Sequence, residues 1–427
     1  MLVSIHDGAL LREKTWTNYL RIGTYVMRFQ LQFGFGMMDH SKVLVKEWGA
    51  GEVILSPRDL TSDQLDRLSL SIRSHEGGSV VLDPQFYLPH ADHERLREHR
   101  YWPASYETSS FFGGPALTTL VTTLRDLNNR LQTRAFILPG LLAERVTDDW
   151  LATQRLILEE ATAHSPNEIY IQTIALSDDA SRNTADIAQL IEHCAANPAQ
   201  GYYIVVQHPQ GDYLVDDAIW LANVIDLCAA LKLQGSQVVL GYCNQQMLIA
   251  SLAKIDAIAS GTWMNVRSFP PEKFKAANEE ETRKRATWFY CPQTLSEYKI
   301  PFLDIAQRQQ LLSELYPDAP NVSQQVRNLF AGGQPSSIGL TEQAAFRHYL
   351  TCLQSQAAAI EQSTFDATVD AYRLLLDRAE GQLDRLHRIG VRGQNRDFSE
   401  VIETNRAAVE VLISERGPRL RRLWATL

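Results

Sequence analysis

The chain is poor in the features that name a chemistry outright. Its cysteines, Cys194, Cys228, Cys243, Cys291 and Cys352, are five in 427 residues and scattered, with no C-x-x-C spacing. That pattern excludes a disulfide frame or a thiolate zinc site and fits reduced thiols in a cytoplasm. No apolar run approaches the roughly 20 residues needed to cross a bilayer, and the first residues lack the charged start and apolar centre of a secretion signal. Walker loops, G-x-G-x-x-G, G-x-S-x-G and H-E-x-x-H are all missing, so the nucleotide, serine-hydrolase and zincin chemistries that those motifs define have no support. Positive charge is also short: the formal net charge of -9 disfavours blanket nucleic-acid binding and leaves room only for a local basic patch. No cofactor or metal is expected.

What is present is 45% hydrophobic sequence arranged in short β-rich runs that close on polar residues: GEVILSPRD, SVVLDPQFY, RAFILPG, EIYIQTIA, YYIVVQHP, QVVLGYCNQQ, DAIASGTWMNVRSF and ATWFYCPQ. Helix-length stretches fill most gaps, and alternation of this kind implies parallel strands with right-handed crossovers. Eight such units predict an eight-stranded parallel β/α barrel over residues 51–302, with strands starting near Glu52, Ser79, Ala135, Glu168, Tyr202, Gln237, Asp256 and Ala286. Residues 1–50, including the alternating YVMRFQLQFGFGMMDH, are expected as a peripheral segment or a flanking edge strand. Thr61 and Ser62 are candidate caps for the first barrel helix. The long insertion between the strands at Ser79 and Ala135 is a candidate lid. Residues 303–427 turn to helical periodicity, as a helical region packed on the barrel or as an arm for a partner or for self-association. Its end, RGPRLRRLW, is a local cationic cluster.

Barrel chemistry sits where strands end. The candidates collected there are Asp83 as the catalytic carboxylate, with Arg58, Tyr87, Gln207, His208, Asn244, Gln245, Trp263, Asn265 and Arg267 as substrate contacts. Amides and aromatics suit a planar, hydrogen-bonding ligand such as a nucleobase, and arginines suit phosphate. Each has a structural alternative: Asp83 as a turn cap, Arg58 paired with Asp59, His208 as a satisfied loop histidine, and Trp263 as a core plug. His90, Asp92, His93 and His99 read as part of a solvated, arginine-rich helix rather than a metal site. A glycosidase pair would have to be drawn from Asp83, Asp59 and Glu297.

The series LDPQFY, IVVQHPQGDY, LGYCNQQ and IDAIASGTWMNVRSF resembles, distantly, the tRNA-guanine transglycosylase superfamily, barrels that exchange a base in nucleic acid through a covalent aspartate. The resemblance implies that Asp83 matches the early aspartate of that family, Gln207 the base-reading glutamine and Arg267 the basic end of the late segment. The chain departs from the pattern where the nucleophile belongs, since Ser260-Gly261-Thr262 holds no carboxylate, and in lacking the zinc cysteines. Two functions follow as expectations. One is an enzyme acting on a nucleobase or N-glycosidic bond, possibly in nucleic acid; the other is a catalytically inactive barrel serving as a binding or scaffold subunit of a nucleic-acid-processing or defence complex. No membrane partner is expected.

Overall fold

The computed structural model describes residues 26–91, 93–165, 167–275, 286–320 and 322–427. Eight parallel strands form a curled β/α barrel: β1 Arg28–Gln32, β2 Gly51–Leu55, β3 Gly78–Leu82, β4 Phe136–Ile137, β5 Tyr170–Leu176, β6 Gly201–Val206, β7 Gln237–Leu240 and β8 Ala257–Ser260. Their order in the sheet runs β3, β2, β1, β8, β7, β6, β5, β4. The backbone N–H of Arg134, just before β4, donates to the Val80 carbonyl on β3 at 2.9 Å and joins the two ends. A two-residue strand, Leu142–Ala143, adds to the far end of β5.

The barrel therefore begins earlier than the sequence suggests. Arg28–Gln32 is not peripheral: it pairs with β2 in register Gln30↔Glu52 and with β8 in register Leu31↔Ser260. The physical reason lies in its alternation. Phe29 and Leu31 pack in the main hydrophobic cluster, while the polar face, Gln30 and Gln32, is also buried. Gln30 donates to Glu52, and Gln32 accepts from the Tyr203 hydroxyl. A polar-alternating strand is ordinarily half solvated; here its polar side finds partners among other barrel strands. Correspondingly, the expected last strand near Ala286 is outside the barrel. Trp288–Cys291 pairs antiparallel with Ser296–Lys299 as a separate hairpin, β9 and β10. The remaining seven expected strands lie in the barrel.

Strand β6 is buried at all six positions, as strands covered on both faces must be. Outside the strands lie α1 Met37–Trp48, α2 Ser62–Arg73, α3 Pro115–Leu131, α4 Asp148–His164, α5 Thr184–Ala196 and α6 Ala218–Leu233. Thr61 caps α2 reciprocally with Gln64: its Oγ1 accepts the Gln64 N–H at 3.3 Å, and Gln64 Oε1 accepts the Thr61 N–H at 2.8 Å. Between β7 and β8 the connection is a run of 3₁₀ helix, Gln245–Ala253.

The C-terminal region is helical, with α7 Ile300–Arg308, α8 Glu342–Ile360, α9 Phe365–Arg388, α10 Ile402–Glu415 and α11 Gly417–Leu423 as its labelled helices. It packs on the barrel's flank: α8 lies against β1, and α10 lies against α6. Tyr349, Leu353, Phe365 and Leu412 share one hydrophobic cluster with Leu31, Leu44 and Leu240, so the core runs without a break across residue 303. Two of the terminal arginines are held in ion pairs. Arg416 grips Asp226 of α6 with two bonds, at 2.6 and 2.8 Å, and Arg421 pairs with Asp366. No helix among the described residues is long and apolar enough to cross a membrane.

Candidate functional site

Asp83 follows β3 directly, and its side chain is wholly buried at the C-terminal end of the barrel. Its Oδ1 accepts the Gln85 backbone N–H at 2.9 Å, which makes it the turn cap that an Asp-Pro-Gln sequence favours. It is more than a cap. The Tyr87 hydroxyl lies 2.9 Å from Oδ1 and 2.7 Å from Oδ2, the Tyr242 hydroxyl 3.3 Å from Oδ2, and the Tyr203 hydroxyl 3.4 Å from Oδ2. Burial pushes the Asp83 carboxyl up to about 6, with the phenol and amide donors only partly offsetting it. The same burial, aided by the Asp83 charge, raises Tyr87, Tyr203 and Tyr242 well above the usual phenol range.

Two residues here hold a left-handed backbone that non-glycine residues rarely adopt: Gln85 at φ 53° and Tyr242 at φ 56°. Both bond the carboxyl, Gln85 through its backbone N–H and Tyr242 through its hydroxyl. Gln85 Nε2 donates to Ser56 Oγ at 2.9 Å and to Tyr242 Oη at 3.3 Å, and its Oε1 accepts the Arg58 N–H at 2.9 Å. Strain of this kind costs on the order of 1 kcal/mol per residue and concentrates at functional sites.

A roof closes the mouth. Phe269 and Phe274, from the segment after β8, each sit 4.9 Å from the Tyr87 ring, and Phe269 lies 5.2 Å from Tyr242. A parallel bridge between Phe269 and Gln207 ties this segment to the end of β6. Arg58 lies at the roof's edge, paired with Asp59 at 3.2 Å, donating to the Lys273 carbonyl and stacked 5.3 Å over Phe274. Phe269 also lines a cavity of about 180 Å³, together with Gln207, His208, Asn265 and Met264, among others. Asn265 Oδ1 is buried there without a hydrogen-bond donor.

The expected contacts thus divide. Asp83 and Tyr87 meet, with Arg58 adjoining; Gln207, His208 and Asn265 share the neighbouring cavity. His208 is structural in its bonding: Nδ1 faces the Asp212 carbonyl at 2.8 Å, and burial lowers its pKa to about 4. Asn244, Gln245 and Arg267 do not reach the Asp83 group. Asn244 caps the 3₁₀ run and donates to the Tyr213 carbonyl. Gln245 Oε1 accepts from Tyr349 at 3.2 Å and lies 3.1 Å from the hydroxyl of Tyr213, whose nearer acceptor is Glu297 at 2.9 Å. Arg267 bonds both oxygens of Glu297, at 3.2 and 3.1 Å, lies 3.5 Å over the Tyr349 ring, and shares Glu297 with Arg396 at 2.8 Å. Burial alone would raise Glu297, but Arg396 and Arg267 outweigh it and hold the carboxyl below its usual range. Trp263 stacks edge-on against Phe346 at 4.8 Å.

In the long insertion, His99 is buried against the Pro57 carbonyl at 2.8 Å rather than solvated, and Asp92 lies outside the described residues. Among the described residues no group of three or more His, Cys, Asp or Glu side chains is placed to hold a metal. Sequence reasoning did not single out Tyr203 or Gln32. The only signal for either was position, Tyr203 inside an all-apolar run and Gln32 at the end of an alternating one.

No family profile matches the sequence, and no curated protein does. Solved structures with a similar chain course include a GH10 xylanase from Thermobacillus composti, at 12% identity and TM-score 0.38, covering 57% of this chain and 88% of the xylanase. The carboxyl transferase domain of Rhizobium etli pyruvate carboxylase with pyruvate matches at 11% identity and TM-score 0.36, over 97% of this chain and 66% of that domain. The complete pyruvate carboxylase matches at 11% identity and TM-score 0.35, over 95% of this chain and 35% of that protein. Likenesses this remote leave the function to the geometry of the site itself.

Proposed function

We propose that the chain is a transglycosylase-like barrel enzyme acting on a nucleobase or N-glycosidic bond, with Asp83 as the reacting carboxyl. The observation that carries this reading is the buried Asp83 itself, ringed by phenols at the strand ends and held by two strained residues. A carboxyl raised to about 6 is suited to give a proton to the ring nitrogen of a departing base and, near neutral pH, to take one back from the water or incoming base that bonds the glycosidic carbon in its place. Gln207, Asn265 and Phe269 line one cavity, and Phe269 also packs against the Tyr87 and Tyr242 rings. Amide edges of this type complement the donor and acceptor edge of a base. Nucleic acid is the proposed source of that base.

The second reading, a binding or scaffold subunit without catalysis, is favoured by the roof, which leaves Asp83 with no exposed surface. Base release or exchange, followed by mass spectrometry over a panel of nucleosides, DNA and RNA, separates the two. Asp83→Asn is expected to lower turnover at least about a hundredfold, the lower range for a lost general acid. Absence of release by the wild type across the panel, or turnover untouched by the substitution, rejects the enzyme reading.

A further inference from the structure

The three phenols around Asp83 are not equivalent. Tyr87 has the carboxyl as its hydroxyl's partner at both oxygens, and Tyr242 accepts from Gln85 Nε2 while reaching Asp83 at 3.3 Å. Tyr203 differs because a better acceptor lies closer: Gln32 Oε1 at 2.9 Å, against Asp83 Oδ2 at 3.4 Å. A phenol has one hydrogen, and hydrogen bonds from hydroxyls weaken quickly beyond about 3.0 Å. With Gln32 Oε1 turned toward it, the shorter contact takes the Tyr203 hydrogen, an orientation in which Gln32 Nε2 is buried with no hydrogen-bond partner. Gly241 makes room for the Tyr203 ring, since an added Cβ there would come within 2.6 Å of Tyr203 Oη and Cε2.

We propose that Gln32 is a positioning residue for Asp83: by taking the hydroxyl hydrogen of Tyr203, it leaves a lone pair of Tyr203 Oη facing Asp83 Oδ2, as the acceptor for the acid proton. The inference rests on the reading of Asp83 as an acid, and it deepens it by naming where the proton is held. Tyr87 and Tyr242 steady the carboxyl as donors, while Tyr203 faces it with an oxygen lone pair. When the proton leaves for the substrate, Tyr203 Oη loses its donor and Gln32 keeps the phenol from closing on the carboxylate. The other titratable and charged groups near the carboxyl are the Arg58–Asp59 pair after β2, Tyr101 from the insertion, whose hydroxyl donates to the Pro84 carbonyl at 2.7 Å, and Cys243 beyond Tyr203.

The test reads Asp83 directly, without a substrate. In the full-length chain carrying side-chain-carboxyl ¹³C-labelled aspartate, the Asp83 resonance is identified by its loss in Asp83→Asn and titrated by NMR. Gln32→Met, close in shape but without the amide acceptor, frees the Tyr203 hydroxyl to donate to the carboxylate, and is expected to lower the Asp83 pKa by about one unit, a tenfold change in acid dissociation. Tyr203→Phe removes the acceptor of the acid proton and is expected to lower it as well. If Tyr203 is instead a donor to Asp83, Tyr203→Phe raises the pKa and Gln32→Met leaves it in place; either result overturns the proposal. Should Gln32→Met fail to fold, the sign of the Tyr203→Phe shift decides alone. A shifted pKa in a chain without base-release activity would uphold Gln32's role while removing the enzymatic one, so the two failures are distinguishable.

Discussion

The stability difference between Asp83→Asn and the wild type should depend on pH, moving in the variant's favour as pH rises. A folded-state pKa of about 6 against an ordinary 3.8 means that the native state binds this proton more tightly than the unfolded chain does. The stability gained from that proton is complete below about pH 4 and is lost as pH rises through about 6. Some 2 pKa units at 1.36 kcal/mol each make the ionised carboxylate about 3 kcal/mol less favourable than the neutral acid in this site. Asparagine has no charge to bury, so the difference between variant and wild type should move by about 2 kcal/mol in the variant's favour between pH 4 and pH 7, then level off. Any constant offset from altered phenol bonding is removed by comparing across pH, and other titrating groups cancel in the same difference. Urea midpoints and m-values for both proteins at intervals from pH 4 to pH 8 give the measurement. A difference that is flat across this range, or that moves in the wild type's favour as pH rises, would show that the phenols fully compensate the buried charge and would remove the physical ground for treating Asp83 as a poised acid.

Two further outcomes concern regions outside that group. Arg267→Met leaves the buried Glu297 with Arg396 as its only cation, beside the Tyr213 hydroxyl, so it should cost about 3 kcal/mol in denaturant unfolding. Base-release activity, once detected, should survive it in the folded fraction, whereas a phosphate-holding Arg267 would lose activity without losing stability. Arg419→Gln with Arg422→Gln should leave any nucleic-acid binding and its salt slope unchanged in filter-binding titrations; a flatter slope, by roughly one logarithmic unit for each phosphate no longer neutralised, would assign the C-terminal helix to phosphate.

The barrel was legible because seven of its strands are the apolar runs that parallel pairing requires, and Asp83 because an acidic residue directly after such a run must lie at the strand-end face. The first strand was obscured by its own partners: Gln30 and Gln32 look like a solvated face until Glu52 and Tyr203 are known to meet them. The hairpin at Trp288 reads like a barrel strand because local sequence carries apolar content and not pairing direction. Among the candidate residues, Asn244, Gln245 and Arg267 lie beyond strand ends but bond to groups far along the chain. Their partners include Tyr213, Glu297 and Tyr349, and no spacing rule links positions 30 to 104 residues apart. Tyr203 was hidden for the opposite reason, as an aromatic within an apolar strand whose hydroxyl matters only because Gly241 lets the ring lie where it does.

The roof and the carboxyl pull the functional reading in opposite directions, and free energy weighs them. Phe269 and Phe274 over the mouth are ordinary apolar packing, favourable in any barrel whether or not it reacts. The group beneath them is unfavourable locally: about 3 kcal/mol for the ionised carboxylate at neutral pH, with strain on the order of 1 kcal/mol at each of Gln85 and Tyr242. A scaffold would lose nothing by carrying an asparagine and two relaxed turns there. The roof itself is joined to the barrel at Gln207, a residue that also lines the outer cavity, so whatever occupies that cavity bears on the bridge between the roof and β6. The proposed enzyme therefore requires that a ligand at the Gln207 cavity displace the roof before Asp83 can react, and the base-release assay with Asp83→Asn tests that requirement.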